Sequence, residues 1–358
     1  MARTINDLRQ MQALPLELKI KMTQTRIRQW VDEFGEDGVY ISFSGGKDST
    51  VLLHLVRELY PNVPAVFVNT GLEYPEIVQF VKTFDNVEII RPKMNFKKVI
   101  EKYGYPFISK EAAECVFYAR KYLKSNGKTY KEFYRKICGV GEFGKEGKRS
   151  LYSMKKFNFF LKEGAPAISH MCCKVMKKNP MHEYARTTGK VAITAEMASE
   201  SRRRSTNWIM HGCNMFSSQN PKSTPLAFWT DQDVLKYIKE NNIKIASVYG
   251  DIVQDEEKSE FPEGQLCFLS DEHIMLGKSG ELLETNCVLK TTGCDRTGCM
   301  FCGFGCHLEK EGEGRFERMK VTHPKLYEWI MKPWEDGGLD YKHVIDWLNE
   351  NGGLNIKY

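Results

Sequence analysis

The first half of the chain alternates short apolar segments with segments of helical periodicity. Apolar residues at helical spacing predict an amphipathic helix over 24–34 and another over 51–59. Short apolar segments predict four strands, at Val39–Phe43, Ala65–Asn69, Val87–Arg91 and Val191–Thr194. Because such strands alternate with helices, we predict an α/β fold, a parallel sheet with helices on both faces.

The same pattern predicts three consecutive segments. Residues 1–35 form an N-terminal helical segment, and residues 36–250 form the main α/β domain, with a basic insertion at about 110–165. Residues 251–358 form a smaller, cysteine-rich α+β region. Within it, turn residues and alternating patches such as Gln265–Leu269 and Glu281–Leu283 predict a hairpin-like insertion.

Composition fits an ordinary globular protein of about two domains. The chain has 358 residues, 42% of them hydrophobic, and a net charge of +6. No apolar run approaches the ~18 residues that a membrane helix needs, and the N-terminal residues lack the apolar core of a signal peptide. We therefore expect a cytoplasmic protein without a membrane partner. In a reducing compartment its 11 cysteines favour metal or redox chemistry over disulfides.

A glycine-rich turn follows the first predicted strand and opens a helix. It comprises Ser42, Phe43, Ser44, Gly45, Gly46, Lys47, Asp48, Ser49 and Thr50. Glycines let the backbone approach an anion, the helix N-terminus offers free N–H groups, and Lys47 adds a charge. Asp48 is a candidate Mg²⁺ ligand. The spacing is not that of a Walker A loop, and a purely structural turn is the weaker alternative.

A second candidate loop, Asn69–Glu76, follows the second predicted strand. Ligands of open α/β sheets bind at the carboxyl ends of strands. Thr70 and Gly71 are therefore candidates for adenosine contacts, with an ordinary connecting loop as the alternative.

Four motifs resemble known families. The Ser44–Ser49 segment resembles the PP-loop of N-type ATP pyrophosphatases, which cleave ATP between the α and β phosphates. Cys172–Pro180, Glu200–Arg204 and Pro225–Ile238 resemble, in family order, the CCxxxKxxP, ESxxR and PLxxWT…DVxxYI segments of the phosphoadenosine phosphosulfate (PAPS) reductase family. The resemblance covers residues ~38–250 and implies an adenine nucleotide α-hydrolase-like fold and sulfur chemistry.

The resemblance also implies roles for individual residues. Residues of the loop would cradle phosphates: Ser42, Ser44, Gly45, Gly46, Lys47, Asp48 and Ser49. Lys177 and Arg204 would neutralise phosphate or sulfate, Ser201 would donate a hydrogen bond, and Glu200 would orient the arginines. Ala195–Met197 departs from the family's GxR pattern, so one anion-binding arginine is missing, and Arg202 and Arg203 are candidates to replace it. The family's C-terminal nucleophile segment is absent as well. The intact loop favours ATP over PAPS.

Five cysteines lie between residues 287 and 306, and four thiolates suit either Zn²⁺ or a [4Fe–4S] cluster. The cysteine pair and distant CxxC of adenylyl-sulfate (APS) reductases resemble Cys172–Cys173 with Cys299 and Cys302. The tail of the sulfur-transfer ATPases of DNA phosphorothioation resembles Arg296–Cys302 with Cys294 upstream. We favour Cys172, Cys294, Cys299 and Cys302 as ligands, which leaves Cys173 or Cys306 as the sulfur-carrying thiol. Cys173 and Cys306 also remain alternatives for the fourth ligand.

These features favour an enzyme that cleaves ATP with Mg²⁺ into AMP and pyrophosphate and couples this to sulfur transfer. The expected catalytic residues are Lys47, Asp48, Lys177, Arg204 and Cys173. The alternatives are a PAPS or APS reductase that releases sulfite and a non-catalytic nucleotide-binding subunit. A sulfur or electron donor protein and an oligomer are further expected partners.

A basic stretch, residues 120–160, holds 12 Lys/Arg against 3 Asp/Glu, with nine tyrosines and phenylalanines interleaved. Cations and stacking rings are the means of holding unpaired nucleic acid. A solvated helical insertion with its aromatic residues in a core is the alternative.

Overall fold

The computed structural model describes residues 3–139, 153–257, 274–276, 282–284 and 286–358. Its strands are β1 Val39–Ser42, β2 Ala65–Val68, β3 Val87–Ile90, β4 Phe107–Ile108, β5 Val191–Thr194, β6 Asn214–Met215, β7 Lys222–Ser223, β8 Ile252–Glu257, β9 Ile274–Leu276, β10 Leu282–Glu284, β11 Asn286–Thr291 and β12 Gly303–Phe304. Its α-helices are α1 Ile5–Gln12, α2 Leu16–Phe34, α3 Lys47–Leu59, α4 Pro75–Val81, α5 Phe96–Tyr103, α6 Lys110–Lys124, α7 Lys131–Cys138, α8 Met171–Cys173, α9 Asn179–Thr188, α10 Arg202–His211, α11 Asp231–Glu240, α12 Arg315–Thr322, α13 Pro324–Met331 and α14 Tyr341–Gly352.

A six-stranded sheet forms the centre of the fold, in the order β3-β2-β1-β5-β7-β6. β1 pairs in parallel with β2 and β5, β5 pairs in parallel with β7, and the antiparallel edge strand β6 pairs with β7. Val39, Tyr40 and Ile41 of β1 are all buried, as expected of a central strand covered on both sides. The mainly parallel sheet within a mostly helical chain confirms the predicted α/β class.

Helix starts follow from local chemistry. Thr230 and Asp233 form a capping box at the start of α11: the Thr230 hydroxyl accepts from the Asp233 N–H, and the Asp233 carboxylate accepts from the Thr230 N–H at 2.7 Å. Ser201 caps α10, because its hydroxyl accepts from the Arg204 N–H. Between α8 and α9, residues Lys174–Lys178 adopt a π-helical turn, a feature often found at functional sites.

The chain divides into two compact units that interleave along the sequence. One unit comprises Met1–Phe67, Tyr74–Ile90 and Tyr184–Thr297, and we call it the sheet unit. The other comprises Val68–Glu73, Arg91–Glu183 and Gly298–Tyr358, and we call it the cysteine unit. The sequence suggested consecutive segments with boundaries near 35 and 250, and those domain boundaries stay a prediction.

The cysteine unit has its own small core. β4 pairs in parallel with β12, and Gly303 permits this, because a Cβ atom there would lie 2.4 Å from Cδ1 of Phe107. The buried Tyr341 hydroxyl donates to the Phe301 carbonyl oxygen at 2.6 Å. The Phe107 and Tyr341 rings pack 5.2 Å apart. These contacts tie α14 to the segment that carries the CxxC cysteines.

The predicted hairpin-like insertion is present where the structure describes it. β8 pairs antiparallel with β11, and β9 pairs antiparallel with β10. The predicted patch Gln265–Leu269 lies outside the described residues, and so does part of the basic insertion, residues 140–152. Among the described helices, none has the length and apolar character that crossing a membrane requires.

Candidate functional site

The glycine-rich loop joins the carboxyl end of β1 to α3, within the sheet unit. Ser42 is the last residue of β1, and α3 begins at Lys47. The N-terminal N–H groups of α3 and its positive dipole end therefore face the loop, as an anion site requires. Gly45 has a φ of +72°, and a Cβ atom there would lie 2.7 Å from Cγ2 of Val81. The loop accepts only glycine at this position without rearrangement.

Two serine hydroxyls brace the loop from inside. Ser44 Oγ and Ser49 Oγ share a hydrogen bond of 3.0 Å, and the Ser49 hydroxyl lies 2.9 Å from the Gly46 carbonyl oxygen, to which it donates. The Gly46 N–H donates to Ser44 Oγ at 3.3 Å. The predicted loop residues therefore form one connected hydroxyl and amide array.

Lys47 and Asp48 lie in a charged network that the sequence motifs did not reveal. Lys47 Nζ lies 3.1 Å from Asp231 Oδ1 and 3.4 Å from Asp48 Oδ1. The other Asp231 oxygen, Oδ2, accepts from Arg296 Nη2 at 2.9 Å. Asp231 is the first residue of α11, so its carboxylate also stands at a helix N-terminus, where negative charge is favoured.

Glu200 extends this network. Its Oε1 lies 3.3 Å from Arg296 Nη1, and its other oxygen pairs with the Arg204 guanidinium. Glu200 Oε2 also accepts from the Met197 N–H at 3.0 Å. Glu200 is thus placed to orient arginines, in line with the role that the family resemblance implies. Ser201 is engaged as the helix cap of α10.

The Tyr249 hydroxyl closes one side of the loop. It accepts from the Lys47 backbone N–H at 3.1 Å and lies 2.6 Å from Thr297 Oγ1. A Cβ atom on Gly46 would come within 3.3 Å of both of these hydroxyl oxygens. The segment just before the CxxC motif is therefore part of the loop's surroundings.

Burial and charge set the protonation of these groups. Burial raises the pKa of Asp48, although Lys47 opposes the shift. For Asp231 the opposite holds: burial raises the pKa, but the ion pairs with Lys47 and Arg296 outweigh it and lower the pKa. Burial lowers the pKa of Lys47, but Asp48 and Asp231 outweigh it and raise the pKa, so Lys47 stays charged.

Residues 69–73 of the second predicted loop lie in the cysteine unit. Thr70 is buried and donates its hydroxyl hydrogen to Glu73, whose Oε2 accepts from the Thr70 N–H at 2.9 Å. Gly71 has a φ of +74°, and no atom lies within 4 Å of the position that a Cβ would take there. Lys177 Nζ lies 3.4 Å from Glu73 Oε1. Glu73, which no sequence motif singled out, therefore ties Thr70 to Lys177.

Four cysteines line one cavity of the cysteine unit: Cys172, Cys173, Cys299 and Cys302. The space between the atoms of this cavity, including the part open to solvent, is about 300 Å³. The other residues that line it are Leu72, Phe96, Pro106, Met176 and Lys177. The Cys172 and Cys173 sulfur atoms lie 4.0 Å apart. Lys177 also bonds to the Cys299 sulfur, which places one cation among the thiols.

The thiols differ in acidity. Bonding to Cys172 lowers the pKa of Cys173 to about 6 against the effect of burial, with help from Lys110 and Lys177. Burial raises the pKa of Cys299 to about 11 and also raises that of Cys302. Cys173 is therefore the thiol most readily ionised in the cavity, as a nucleophile or metal ligand requires.

Cys294 and Cys306, two further candidates, are placed differently. Cys294 belongs to the sheet unit, where its N–H donates to the Val248 carbonyl oxygen at 3.0 Å. Cys306 is buried in the cysteine unit and donates to the Gly303 carbonyl oxygen at 2.9 Å. Burial raises the pKa of Cys306 to about 12. Within the described ranges, no group of three or more histidine, cysteine or acidic side chains is arranged to hold a single metal ion.

The described parts of the basic stretch form α6, α7 and a 3-10 helix at Lys155–Leu161. Its aromatic residues pack largely on one another: the Tyr118 ring lies 4.6 Å from that of Tyr130, and the Tyr122 ring 4.7 Å from that of Tyr134. Phe157, Phe159 and Phe160 are buried. Nucleic-acid binding by this stretch stays a prediction.

The fold is that of an α/β protein with a glycine-rich loop at the carboxyl end of its central strand. The chain belongs to the phosphoadenosine phosphosulfate reductase domain family, whose model matches residues 38–140 and 144–303. The family resemblance read from the sequence is thereby confirmed.

Known relatives point to enzymes of sulfur metabolism. A phosphoadenosine 5'-phosphosulfate reductase of Xylella fastidiosa is 32% identical over 87 residues, 24% of this chain and 35% of that protein. A sulfate adenylyltransferase subunit 2 of Geobacter metallireducens is 23% identical over 306 residues, 82% of this chain and 83% of that protein. A solved PAPS reductase from Candida auris matches 69% of this chain and 91% of its own, with 14% identity and a TM-score of 0.35. The chain spans 35% of the length of the Xylella protein and 23% of that of another curated relative, an uncharacterised protein of Methanocaldococcus jannaschii.

Proposed function

We propose that this chain binds ATP with Mg²⁺ at the loop Ser42–Thr50, cleaves it to AMP and pyrophosphate, and couples the cleavage to iron–sulfur-dependent sulfur transfer. One observation carries the proposal. The loop combines groups that suit a pyrophosphate: the positive end of α3, two serine hydroxyls and the buried Lys47 ammonium. A bare sulfate would need fewer of them.

Asp48 supports a metal-bound nucleotide. Its Oδ1 is buried, and apart from the Lys47 ammonium 3.4 Å away it has no hydrogen-bond partner among the described residues. A carboxylate oxygen is a ligand that Mg²⁺ prefers. Asp48 would hold the ion, which would neutralise charge on the phosphates. Lys47 and the loop N–H groups would stabilise the pyrophosphate as it leaves.

The chemistry proceeds in two displacements. An oxygen atom of the acceptor forms a bond to the α-phosphorus, and the bond from that phosphorus to the bridging oxygen breaks, which releases pyrophosphate. A sulfide nucleophile then bonds to the activated acceptor atom, and AMP leaves with the acceptor oxygen. Adenylyl transfer in the name of the Geobacter relative supports the first step. The words "subunit 2" in that name support a partner subunit.

The cysteine cavity supports an iron–sulfur cluster. Four thiols that line one cavity are a donor set that a [4Fe–4S] cluster uses, with Zn²⁺ as the alternative. We propose Cys172, Cys173, Cys299 and Cys302 as the ligands, with Cys173 in the place first assigned to Cys294. With four thiolate ligands the irons would be fully coordinated, so the sulfide would come from a sulfur donor protein. Lys177 would offset the negative charge of the thiolates.

Reduction of PAPS or APS is the second candidate, favoured by the family name and the Xylella relative. Protein purified without oxygen, with its iron and sulfide measured, separates the two. It is incubated with ATP and Mg²⁺, and in parallel with PAPS or APS and a thiol reductant. AMP and pyrophosphate from ATP support the proposal. Sulfite from PAPS or APS, with ATP intact, contradicts it, and nucleotide binding without any product indicates a non-catalytic subunit.

A further inference from the structure

Arg296 lies in the phosphate-loop network, although no motif gave it a role there. Its guanidinium contacts Asp231 at 2.9 Å and Glu200 at 3.3 Å, and the next residue, Thr297, lies 2.6 Å from the Tyr249 hydroxyl. The side chain is 47% exposed, so the guanidinium can still meet a ligand. Arginine is suited to this task because its planar fork matches the oxygen atoms of phosphate.

The network is balanced in charge. Its cations are Lys47, Arg204 and Arg296, and its carboxylates are Asp48, Asp231 and Glu200. A bare anion that enters such a network gains cations only by displacing carboxylates from them. A polyphosphate that arrives with a divalent cation offers oxygen atoms to the cations of the network and a positive charge to its carboxylates. Asp231 is central to this balance, because its two oxygens bind Lys47 and Arg296 separately.

We propose that Arg296 is an anion-binding residue of the phosphate loop, and that Asp231 makes the site select a metal–polyphosphate over a bare anion. Arg296 takes the place of the arginine that is missing at Ala195–Met197. Asp231 is a positioning residue that holds Lys47 and Arg296 ready and releases them to the ligand. The inference rests on the proposed function, since it concerns the same loop.

Equilibrium binding of inorganic pyrophosphate, measured by calorimetry with and without MgCl₂, tests this inference. The full chain should bind pyrophosphate at least about tenfold more tightly with Mg²⁺. Arg296→Gln should weaken Mg-pyrophosphate about tenfold or more, because a charge-assisted contact is lost. Arg296→Lys, which keeps the charge and loses the fork, should fall between them. Arg202→Gln changes an exposed arginine of α10 that the sequence offers for the same role, and it should change affinity by less than about twofold if Arg296 fills that role.

Asp231→Asn gives the sharper test, because its expected sign is opposite. Removing one carboxylate should strengthen binding of metal-free pyrophosphate several-fold and shrink the effect of Mg²⁺. Thermal unfolding of each variant shows that it is folded. The inference is overturned if Arg296→Gln and Arg202→Gln bind alike, or if Asp231→Asn weakens metal-free binding as Arg296→Gln does. Pyrophosphate binding needs no turnover, so a chain that fails to cleave ATP would refute the proposed function and leave this result standing.

Discussion

The Tyr249 hydroxyl accepts a hydrogen bond from the Lys47 backbone N–H at 3.1 Å, 202 residues apart in the sequence. Lys47 is the first residue of α3, so this N–H is one of the donors that no helical carbonyl can satisfy. Tyr249 is almost fully buried, and so is the N–H. The contact thus fixes the start of α3 to Tyr249. The same hydroxyl also lies 2.6 Å from Thr297 Oγ1, just before the CxxC motif.

Tyr249→Phe should destabilise the protein. It keeps the ring and leaves the buried Lys47 N–H without an acceptor, which costs about 1–3 kcal/mol. Urea unfolding of the variant and of the wild type measures the difference. Tyr237→Phe is a control, since it also removes a buried tyrosine hydroxyl. That hydroxyl shares a hydrogen bond of 2.9 Å with His54 Nδ1. An unchanged midpoint for Tyr249→Phe would show that the contact does not stabilise the loop.

Gly45→Ala should distort the loop. The residue has a φ of +72°, and the new Cβ would lie 2.7 Å from Cγ2 of Val81 and 2.8 Å from Cγ2 of Ile77. Gly189→Ala is a matched control, with the same φ of +72° and no atom within 4 Å. The control should cost about 1 kcal/mol for strain alone, and Gly45→Ala about 1–3 kcal/mol more from the clash. Equal losses on unfolding would argue against the close packing of the loop on α4.

Replacing any cysteine of the cavity by serine should remove iron. Cys172→Ser, Cys173→Ser, Cys299→Ser and Cys302→Ser each leave three thiolate ligands, so iron and sulfide per chain should fall steeply from about four. Cys213→Ser, a buried cysteine of the sheet unit, should retain both. Cys294→Ser should also retain both. Loss of iron from Cys294→Ser, with retention in Cys173→Ser, would return Cys173 to the role of free sulfur-carrying thiol.

The ion pairs of Asp231 should show in the pH dependence of stability. A carboxyl whose pKa is lowered by folding adds stability above its unfolded pKa, near 3.8, and loses it as the pH falls through the lower folded value. Asp231→Asn should therefore cost about 0.5 kcal/mol at pH 7, a small figure because the side chain is 42% exposed. The difference should shrink as the pH falls below 3.8 and vanish below the lower folded pKa. A difference that persists in acid would point to lost packing instead.

Single-stranded nucleic acid should bind through the basic stretch if it is the acceptor. Tyr130 is 40% exposed on the Tyr118 ring, so Tyr130→Ala should weaken binding by about 1–3 kcal/mol through lost stacking. Phe216→Ala, also 40% exposed but in the sheet unit, is the control. Fluorescence anisotropy of a labelled oligonucleotide should show an affinity about 10³-fold lower at 200 mM than at 50 mM salt. Binding that ignores salt would exclude the idea.

The sequence predicted the central strands and the helix after the loop because their signals are local. β5 begins and ends where the apolar pattern placed it, and β1, β2 and β3 differ by one residue. The pairing of β4 with β12 could not be predicted from the sequence, because each strand is two residues long and the pair joins residues almost 200 positions apart. Helix α2 begins earlier than the predicted helix, because apolar and polar residues alternate over 16–22, a spacing typical of a strand.

The site was predictable where one motif contains it and not where distant segments meet. Ser44, Gly45 and Ser49 were found from the loop itself. Asp231 and Tyr249 were missed, because a single aspartate or tyrosine carries no signal until the fold brings it to Lys47. The cavity likewise groups Cys173 with Cys299 and Cys302, an arrangement that spacing left open.

The bond of ATP that the protein cuts decides between the two candidate functions. Phosphorus NMR of a reaction with ATP and Mg²⁺, run without oxygen on the wild type and on Lys47→Met, identifies the products. We predict AMP and pyrophosphate from the wild type and a loss of at least about tenfold in Lys47→Met, because the leaving pyrophosphate loses its charged partner. ADP and phosphate, or ATP left intact while PAPS or APS yields sulfite, would contradict the proposed function.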